Sequence, residues 1–279
     1  MINHSENKFI GAGGVSLYYQ SWHPEQAARG VLVLVHGFGG HSGGFLNLAD
    51  SLADQNYATY AFDLRGHGRS PGQRGHIMSW EEYRNDLGAF LQVVYANEKT
   101  GTPVFLFGSS LGAAIVLDYI LHDHEGLRGA AIDGAPIQPS GSASQGKVLV
   151  AKLLSGVIPT FQIKFGLETS AISRDQGFIQ SFTSDPLVHD LVSVRWGTEV
   201  MKTIDNIKAN ASQINLPLLI LHGEADSLNS PEGARWLFGQ ITYPDKELHI
   251  YPGMYHGLLF DHGCEQVIAD MKAWMEKHL

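Results

Sequence analysis

The stretch Val104-Phe105-Leu106-Phe107-Gly108-Ser109-Ser110-Leu111-Gly112-Ala113-Ala114 decides the fold of this chain. An apolar run, 104–107, stops at a glycine, presents two serines and passes into 111–121, which is apolar and suited to helix. The order is strand, sharp turn, helix. Gly108-x-Ser110-x-Gly112 in that setting reads as a nucleophile elbow: the turn is so tight that only glycine fits on either side, and Ser110 is held strained with its hydroxyl exposed above the sheet. The helix starts at the same point, so its unpaired amide N–H groups and positive dipole end face any oxyanion formed on a substrate. Gly-x-Ser-x-Gly also arises by chance, so a turn without chemistry remains the alternative until the rest of a site is found.

Outward from the elbow, 31–35 is a continuous apolar run, the pattern of a strand buried on both faces, and it ends in the loop His36-Gly37-Phe38-Gly39-Gly40-His41-Ser42. Before it, 15–22 alternates as a strand, and the Gly11, Gly13, Gly14 cluster turns it against the short run 8–10 as an antiparallel edge hairpin. After it come helical spacing at 45–54, a strand at 57–62 and a polar turn, Asp63-Leu64-Arg65-Gly66-His67-Gly68-Arg69-Ser70. Ser79 with Glu82 three residues later predicts a capping box opening a helix over 79–97. Downstream, 127–132 is a strand leading into Asp133-Gly134-Ala135-Pro136. Strands alternating with helices mean a parallel sheet covered on both sides. The alternation lapses over 136–209, where no strand is evident and a helix is expected over 147–158, with Val150, Leu153, Leu154 and Val157 on one face. It resumes with a strand at 216–221, a helix at 231–238, a strand at 247–251 and a last helix at 264–278. The expected organisation is a core domain, 1–135 and 210–279, with 136–209 inserted into it.

Composition narrows the function. The chain has 279 residues, 44% hydrophobic and 17% charged, enough for a sizeable core and ordinary for a soluble globular protein. A net charge of -9, from 19 basic against 28 acidic residues, leaves no basic excess to neutralise phosphates, which argues against nucleic acid and suits a neutral substrate. Residues 1–8 are polar and do not read as a secretory signal, and no apolar stretch reaches the roughly eighteen residues of a membrane span. The single cysteine, Cys264, fits a reducing compartment, so a cytoplasmic protein is expected. No His or Cys cluster has metal-ligand spacing, and the 36–42 loop lacks the Lys-Ser/Thr of a phosphate-binding loop, so neither metal nor cofactor is expected.

A serine hydroxyl becomes a useful nucleophile when an imidazole takes its proton, and the imidazole needs an acid to hold its tautomer. With an elbow serine the expected order is Ser, then Asp or Glu, then His, on loops after late strands. After 218–221 comes His222-Gly223-Glu224-Ala225-Asp226, and after 247–251 comes Pro252-Gly253-Met254-Tyr255-His256-Gly257. Asp226 and His256 are the expected acid and base, with Glu224 and Asp133 as competitors for the acid. With 14 histidines in the chain a lone one means little; His222, His249, His262 and His278 read as structural or surface residues. The oxyanion hole is expected from the backbone N–H groups of Leu111, after the nucleophile, and Phe38, in the loop after the early strand. His36 and His41 read as loop braces, and 63–70 as a braced turn.

Taken together, strand-His36-Gly37-x-Gly39, Asp63-x-Arg65-Gly66-His67-Gly68-x-Ser70, Gly108-x-Ser110-x-Gly112, Gly223-x-x-Asp226 and Tyr255-His256-Gly257 resemble α/β-hydrolases of the monoacylglycerol lipase and lysophospholipase group. The segments Arg69-Ser70-Pro71-Gly72-x-Arg74-Gly75-His76 and Asp185-Pro186-Leu187 are similar to that group in particular. One departure is that members often carry His and Met beside the elbow serine and a closing Gly-Gly, where this chain has Gly108-Ser109-Ser110-Leu111-Gly112-Ala113. The resemblance implies the α/β-hydrolase fold: a mostly parallel eight-stranded sheet flanked by helices, with a mainly helical cap, 136–209, inserted after strand 6. The apolar residues of that cap would mostly pack it onto the core, and a fraction, expected to include Ile158, Phe161, Phe182 and Leu187, would line an acyl tunnel. The exposed face of 147–158 is a candidate for transient contact with a lipid surface.

These features lead to a serine ester hydrolase acting on an apolar acyl ester, a monoacylglycerol or similar monoester, through an acyl-enzyme and without a cofactor. Aminopeptidase, thioesterase, carbon-carbon hydrolase and acyltransferase chemistries use the same apparatus and stay open. A non-catalytic ligand-binding protein is the rival from another class, disfavoured because a receptor has no need of all three groups.

Overall fold

The computed structural model describes residues 3–140 and 154–279. In chain order the strands of the main sheet are β1 (Asn3–Ile10), β2 (Ser16–His23), β3 (Gly30–Val35), β4 (Tyr57–Phe62), β5 (Val104–Ser109), β6 (Leu127–Asp133), β9 (Leu218–Gly223) and β10 (Lys246–Tyr251). A separate antiparallel pair is made by β7 (Gln162–Lys164) and β8 (Leu191–Ser193). The helices are α1 (Leu46–Ala53), α2 (Glu81–Asn97), α3 (Leu111–His122), α4 (Gln176–Ser184), α5 (Val194–Asn210), α6 (Pro231–Gln240) and α7 (Cys264–Lys277). The main sheet has eight strands in the order β1-β2-β4-β3-β5-β6-β9-β10. Only β2 runs against its neighbours β1 and β4; every pairing from β4 to β10 is parallel. This is the α/β-hydrolase architecture.

The central strands form because their residues suit burial on both faces. In β3, Val31, Val33 and Val35 join one core while Leu32 and Leu34 join the other, since successive side chains alternate across a strand. The first core is closed by Leu87, Phe90 and Leu91 of α2, by the almost wholly buried α3, and by Ala234 and Leu237 of α6. The second is closed by Leu48 and Leu52 of α1 and by Val267, Met271 and Trp274 of α7. Burial of each large apolar side chain among these stabilises the fold by about 1.5–3 kcal/mol. The sheet centre is therefore a rigid platform, and the loops at the carboxyl ends of β3, β5, β6, β9 and β10 project from it on one edge, where open α/β sheets bind their ligands.

Three local expectations are revised. The edge strand starts at Asn3 rather than Lys8, because the polar run before Phe9 faces solvent and carries no apolar alternation while still pairing with β2. The capping box does not form: Trp80 holds the N-cap position, and Glu82 Oε2 accepts from the N–H of Met78 instead of Ser79. The segment after β6 contains β7 and β8, whose three-residue lengths are too short to show alternation. Its last helix, α5, also fastens to the first core through Trp196 and Ile207, and Trp196 Nε1 donates to Tyr83 Oη at 3.2 Å. Most of the helix expected over 147–158 lies outside the described residues; 154–157 is helical. Among the described residues no helix is long and apolar enough to cross a membrane.

Candidate active site

Ser110 sits between β5 and α3 with φ 53° and ψ −111°, one of two non-glycine residues among those described with positive φ. Such a conformation costs about 1–3 kcal/mol and persists only where the surroundings over-determine it. The surroundings here are two backbone crossings. A Cβ at Gly108 would lie 2.3 Å from the carbonyl oxygen of Gly112, and one at Gly112 would lie 2.0 Å from that of Val35. Glycine is required at both places by close approach of main chain to main chain. The N–H of Ser110 donates to the Asp133 carbonyl at 2.9 Å, tying the elbow to the end of β6.

Leu111 is the first residue of α3, so its N–H is one of the helix's unpaired donors. Phe38 follows Gly37, whose α-carbon is packed against the elbow: a Cβ there would be 3.4 Å from Ser110 Cβ. Among the described residues neither the Phe38 nor the Leu111 N–H has a hydrogen-bond acceptor. The loop carrying Phe38 is held from below. His36 Nδ1 donates to the Gly37 carbonyl at 2.8 Å while Nε2 accepts from Leu64 N–H at 3.0 Å, and burial pushes this imidazole down to about 4, keeping it neutral. Asp63 accepts from Ser42 N–H and Arg69 N–H, each at 2.7 Å, so the 63–70 turn braces the loop. His41 Nε2 bonds Asp185 Oδ2 at 3.0 Å and links the loop to the segment after β6.

The acid and base arrive from β9 and β10. His256 Nδ1 lies 2.7 Å from Asp226 Oδ2, and both residues are buried. That bond places the proton on Nδ1 and leaves Nε2 as the basic lone pair. Asp226 Oδ1 accepts from the N–H groups of Leu228 and Asn229 at 2.8 and 2.9 Å, and Oδ2 has a second partner, His222 Nε2, at 3.1 Å. Burial alone would raise the Asp226 carboxyl, but donation from His222, His256 and Asn229 holds it well below the usual carboxylate range. Of the competing acids, Glu224 is exposed and accepts from Gly253 N–H at 3.3 Å. Asp133 is 1% exposed, pushed up to about 6 by burial, and neither of its carboxyl oxygens has a hydrogen-bond partner among the described residues. Asp226 alone of the three is bonded to His256.

Ser110, Leu111, Phe38 and His256 all line one cavity of about 900 Å³. The Ser110 hydroxyl and the His256 ring face it without a direct bond between them; contacts of this kind commonly tighten only around a substrate. The far walls are apolar, formed by Phe178 and Phe182 of α4, Trp196, Val200, Met201 and Ile204 of α5, and Leu228 and Phe260. Of the side chains expected along a tunnel, Phe182 is in this wall. Ile158 and Phe161 are not: a turn in which Phe161 N–H donates to the Ile158 carbonyl at 3.0 Å carries them outward, 42% and 51% exposed. Leu187 is not in the wall either; the turn capped by Asp185 presents Val188 to the cavity in its place. Hydrophobicity marked this segment but could not say which side of each turn faces inward. His222, a structural or surface residue by sequence, lies against the acid; a polar residue in an otherwise apolar strand, four positions before that acid, is the signal for it.

Similarity to known proteins agrees with this geometry. The family described as serine aminopeptidase, S33, matches residues 26–263. A monoacylglycerol lipase of Mycolicibacterium smegmatis is 30% identical over 99% of this chain and 98% of its own length. The crystal structure of the Paleococcus ferrophilus monoacylglycerol lipase superposes with a TM-score of 0.86 at 32% identity, covering 94% of this chain and 99% of that one. A soluble variant of the Saccharomyces cerevisiae monoglyceride lipase, solved with a substrate analogue, also gives 0.86, at 26% identity over 97% of this chain and 94% of that one.

Proposed function

The chain belongs to the serine aminopeptidase, S33, family of α/β-hydrolases and to its monoacylglycerol lipase-like group, and from that premise we propose that this serine ester hydrolase cleaves monoacylglycerols or similar apolar monoesters. The observation that carries the reading is the meeting of a strained elbow serine and an Asp-buttressed imidazole on one apolar-walled cavity. Ser110 Oγ attacks the ester carbonyl as His256 Nε2 takes its proton. The Phe38 and Leu111 N–H groups receive the oxyanion, and Asp226 stabilises the imidazolium. His256 then protonates the departing alcohol, and water, deprotonated by the same ring, releases the acid from the acyl-enzyme.

The walls favour an ester over an aminoacyl substrate. An aminopeptidase needs a free negative charge for the substrate ammonium, and among the described lining residues the one carboxylate is Asp185, already held by His41. The segment 136–209 acts in this reading as a cap, contributing α4 and α5 to the acyl side of the cavity. Val157, Ile158, Phe161 and Ile163, exposed on that segment, suit transient contact with a lipid surface. The lone thiol, Cys264, suits a reducing compartment such as the cytoplasm.

Turnover on p-nitrophenyl esters of graded chain length, on monoacylglycerols and on an aminoacyl anilide tests the substrate class, and an organophosphonate probe tests the nucleophile. The expected result is ester cleavage far above anilide cleavage, with the probe on Ser110 and no labelling of Ser110→Ala. Anilide turnover matching the best ester overturns the substrate reading; a folded protein unlabelled at Ser110 overturns the mechanism.

A further inference from the structure

His222, the residue before the last of β9, has its side chain fully buried, and packing alone does not account for it. Its Nε2 lies 2.9 Å from the Asn229 carbonyl oxygen and 3.1 Å from Asp226 Oδ2, two groups that only accept, so Nε2 carries the hydrogen. Its Nδ1 is buried with no hydrogen-bond partner among the described residues. An unpaired buried nitrogen disfavours the folded state, and an apolar side chain of similar size would avoid it. The ring therefore sits where its one useful atom donates to the Asn229 carbonyl, in the turn that carries the donors to Asp226, and stays 3.1 Å from the carboxylate itself. Asp226 accepts from Leu228 N–H and Asn229 N–H on Oδ1 and from His256 Nδ1 on Oδ2, and His222 Nε2 approaches that second oxygen to 3.1 Å.

We propose that His222 is a positioning residue of the hydrolytic site, whose Nε2–H clamps Asp226 so that Oδ2 stays aimed at His256 Nδ1. This rests on the assignment of Ser110, His256 and Asp226 made above. The clamp has two jaws: the bond to the Asn229 carbonyl holds the turn that supplies the Oδ1 donors, and the polarised N–H edge lying 3.1 Å from Oδ2 fixes the carboxylate electrostatically. His222 also draws on the same oxygen as His256. Without it the carboxylate is freer to rotate, so turnover falls, and it is undivided in its attraction for a protonated His256, so more alkaline conditions are needed for the ring to act as a base. The ionisable groups facing this pair are Asp226 itself, His256 from the loop after β10 and Asp133 from the end of β6, and none of them is altered by the test.

The test compares His222→Gln, whose amide nitrogen reaches the position of Nε2, with His222→Asn, which falls one bond short, and His222→Leu, which has no donor. Expected for Asn and Leu is a loss of about ten- to a hundredfold in kcat, the scale for removing an outer hydrogen-bond partner of a site. KM stays unchanged and the acid limb of the kcat/KM–pH profile moves upward. His222→Gln restores both rate and limb. Should His222→Leu fail to fold, the Asn and Gln pair carries the comparison. Folded His222→Asn with the kcat and acid limb of the unaltered protein, or His222→Gln no better than Asn, overturns the proposal. Ser110→Ala, run alongside, separates the two levels: if it stays active, the underlying assignment fails, whereas an inactive Ser110→Ala beside unaffected His222 variants sinks the clamp alone.

Discussion

Asp133→Asn should change how stability depends on pH while leaving hydrolysis largely intact. The Asp133 side chain is at the end of β6, 1% exposed, and burial pushes its carboxyl from 3.8 up to about 6; the Ser109 hydroxyl, the two nearby histidines and the competing charge of Asp226 adjust that only partly. Because the folded chain holds this proton more tightly than the unfolded chain, ionisation favours unfolding. The stability it contributes is fully present below about 3.8 and is lost as pH rises through about 6. About two pH units at about 1.4 kcal/mol each give a loss approaching 3 kcal/mol, most of it between pH 4 and pH 8. Asn is the same size and cannot ionise. The stability of Asp133→Asn relative to the unaltered protein should therefore rise by about 2–3 kcal/mol between pH 4 and pH 8, read from urea unfolding followed by tryptophan fluorescence. Groups that do not interact with Asp133 cancel in that difference, and His222, His256 and Asp226 enter only through their coupling to it. A relative stability that does not change over this range would show that Asp133 is solvated or paired, and the reasoning about its burial would be wrong. The same variant should keep most of its turnover, since the carboxyl has no bond to His256.

Asp226→Asn should do the opposite, lowering kcat by about 10⁴-fold with KM little changed, because an amide supports the wrong imidazole tautomer; near-normal turnover would move the acid's role to another residue. Gly112→Ala forces a Cβ to within 2.0 Å of the Val35 carbonyl oxygen, and since main chain cannot yield as a flexible side chain would, a loss above about 4 kcal/mol or failure to accumulate folded protein is expected in thermal unfolding. Phe182→Trp fills part of the cavity wall and should shift the p-nitrophenyl ester optimum toward shorter chains, each excluded methylene being worth about 0.8 kcal/mol in log kcat/KM. An unchanged chain-length profile would place the acyl group along another wall.

What could be read along the chain was whatever depends on near neighbours. The uninterrupted apolar run of β3 marked a strand buried on both faces, and the apolar run of β5 followed by Gly-x-Ser-x-Gly marked the strand, tight turn and helix of the elbow, although the main chain that crowds Gly112 belongs to Val35 of β3. The polar edge strand β1 and the three-residue strands β7 and β8 escaped, since pairing across a sheet edge leaves no periodic trace in a polar or very short segment.

Partnership at a distance was another matter. Asp133, Glu224 and Asp226 all lie at or just beyond strand ends; chain order favoured Asp226, but that one is bonded to His256, one buried without a bond and one turned to water is visible only in the folded chain. The same holds for Phe182 and Val188, which face the cavity, against Ile158, Phe161 and Leu187, which do not line it, and for His222 behind the acid. The chain by itself determined the architecture and the chemical types assembled at one edge of the sheet, because periodicity and local crowding are written into consecutive residues. Which of those groups touch was decided only by the packed tertiary structure, because hydrogen bonds and cavity walls depend on distances of a few ångströms between residues far apart in the chain, as with Phe38, Ser110 and His256 on one cavity, and such distances are set by strand register and turn direction summed over the whole fold.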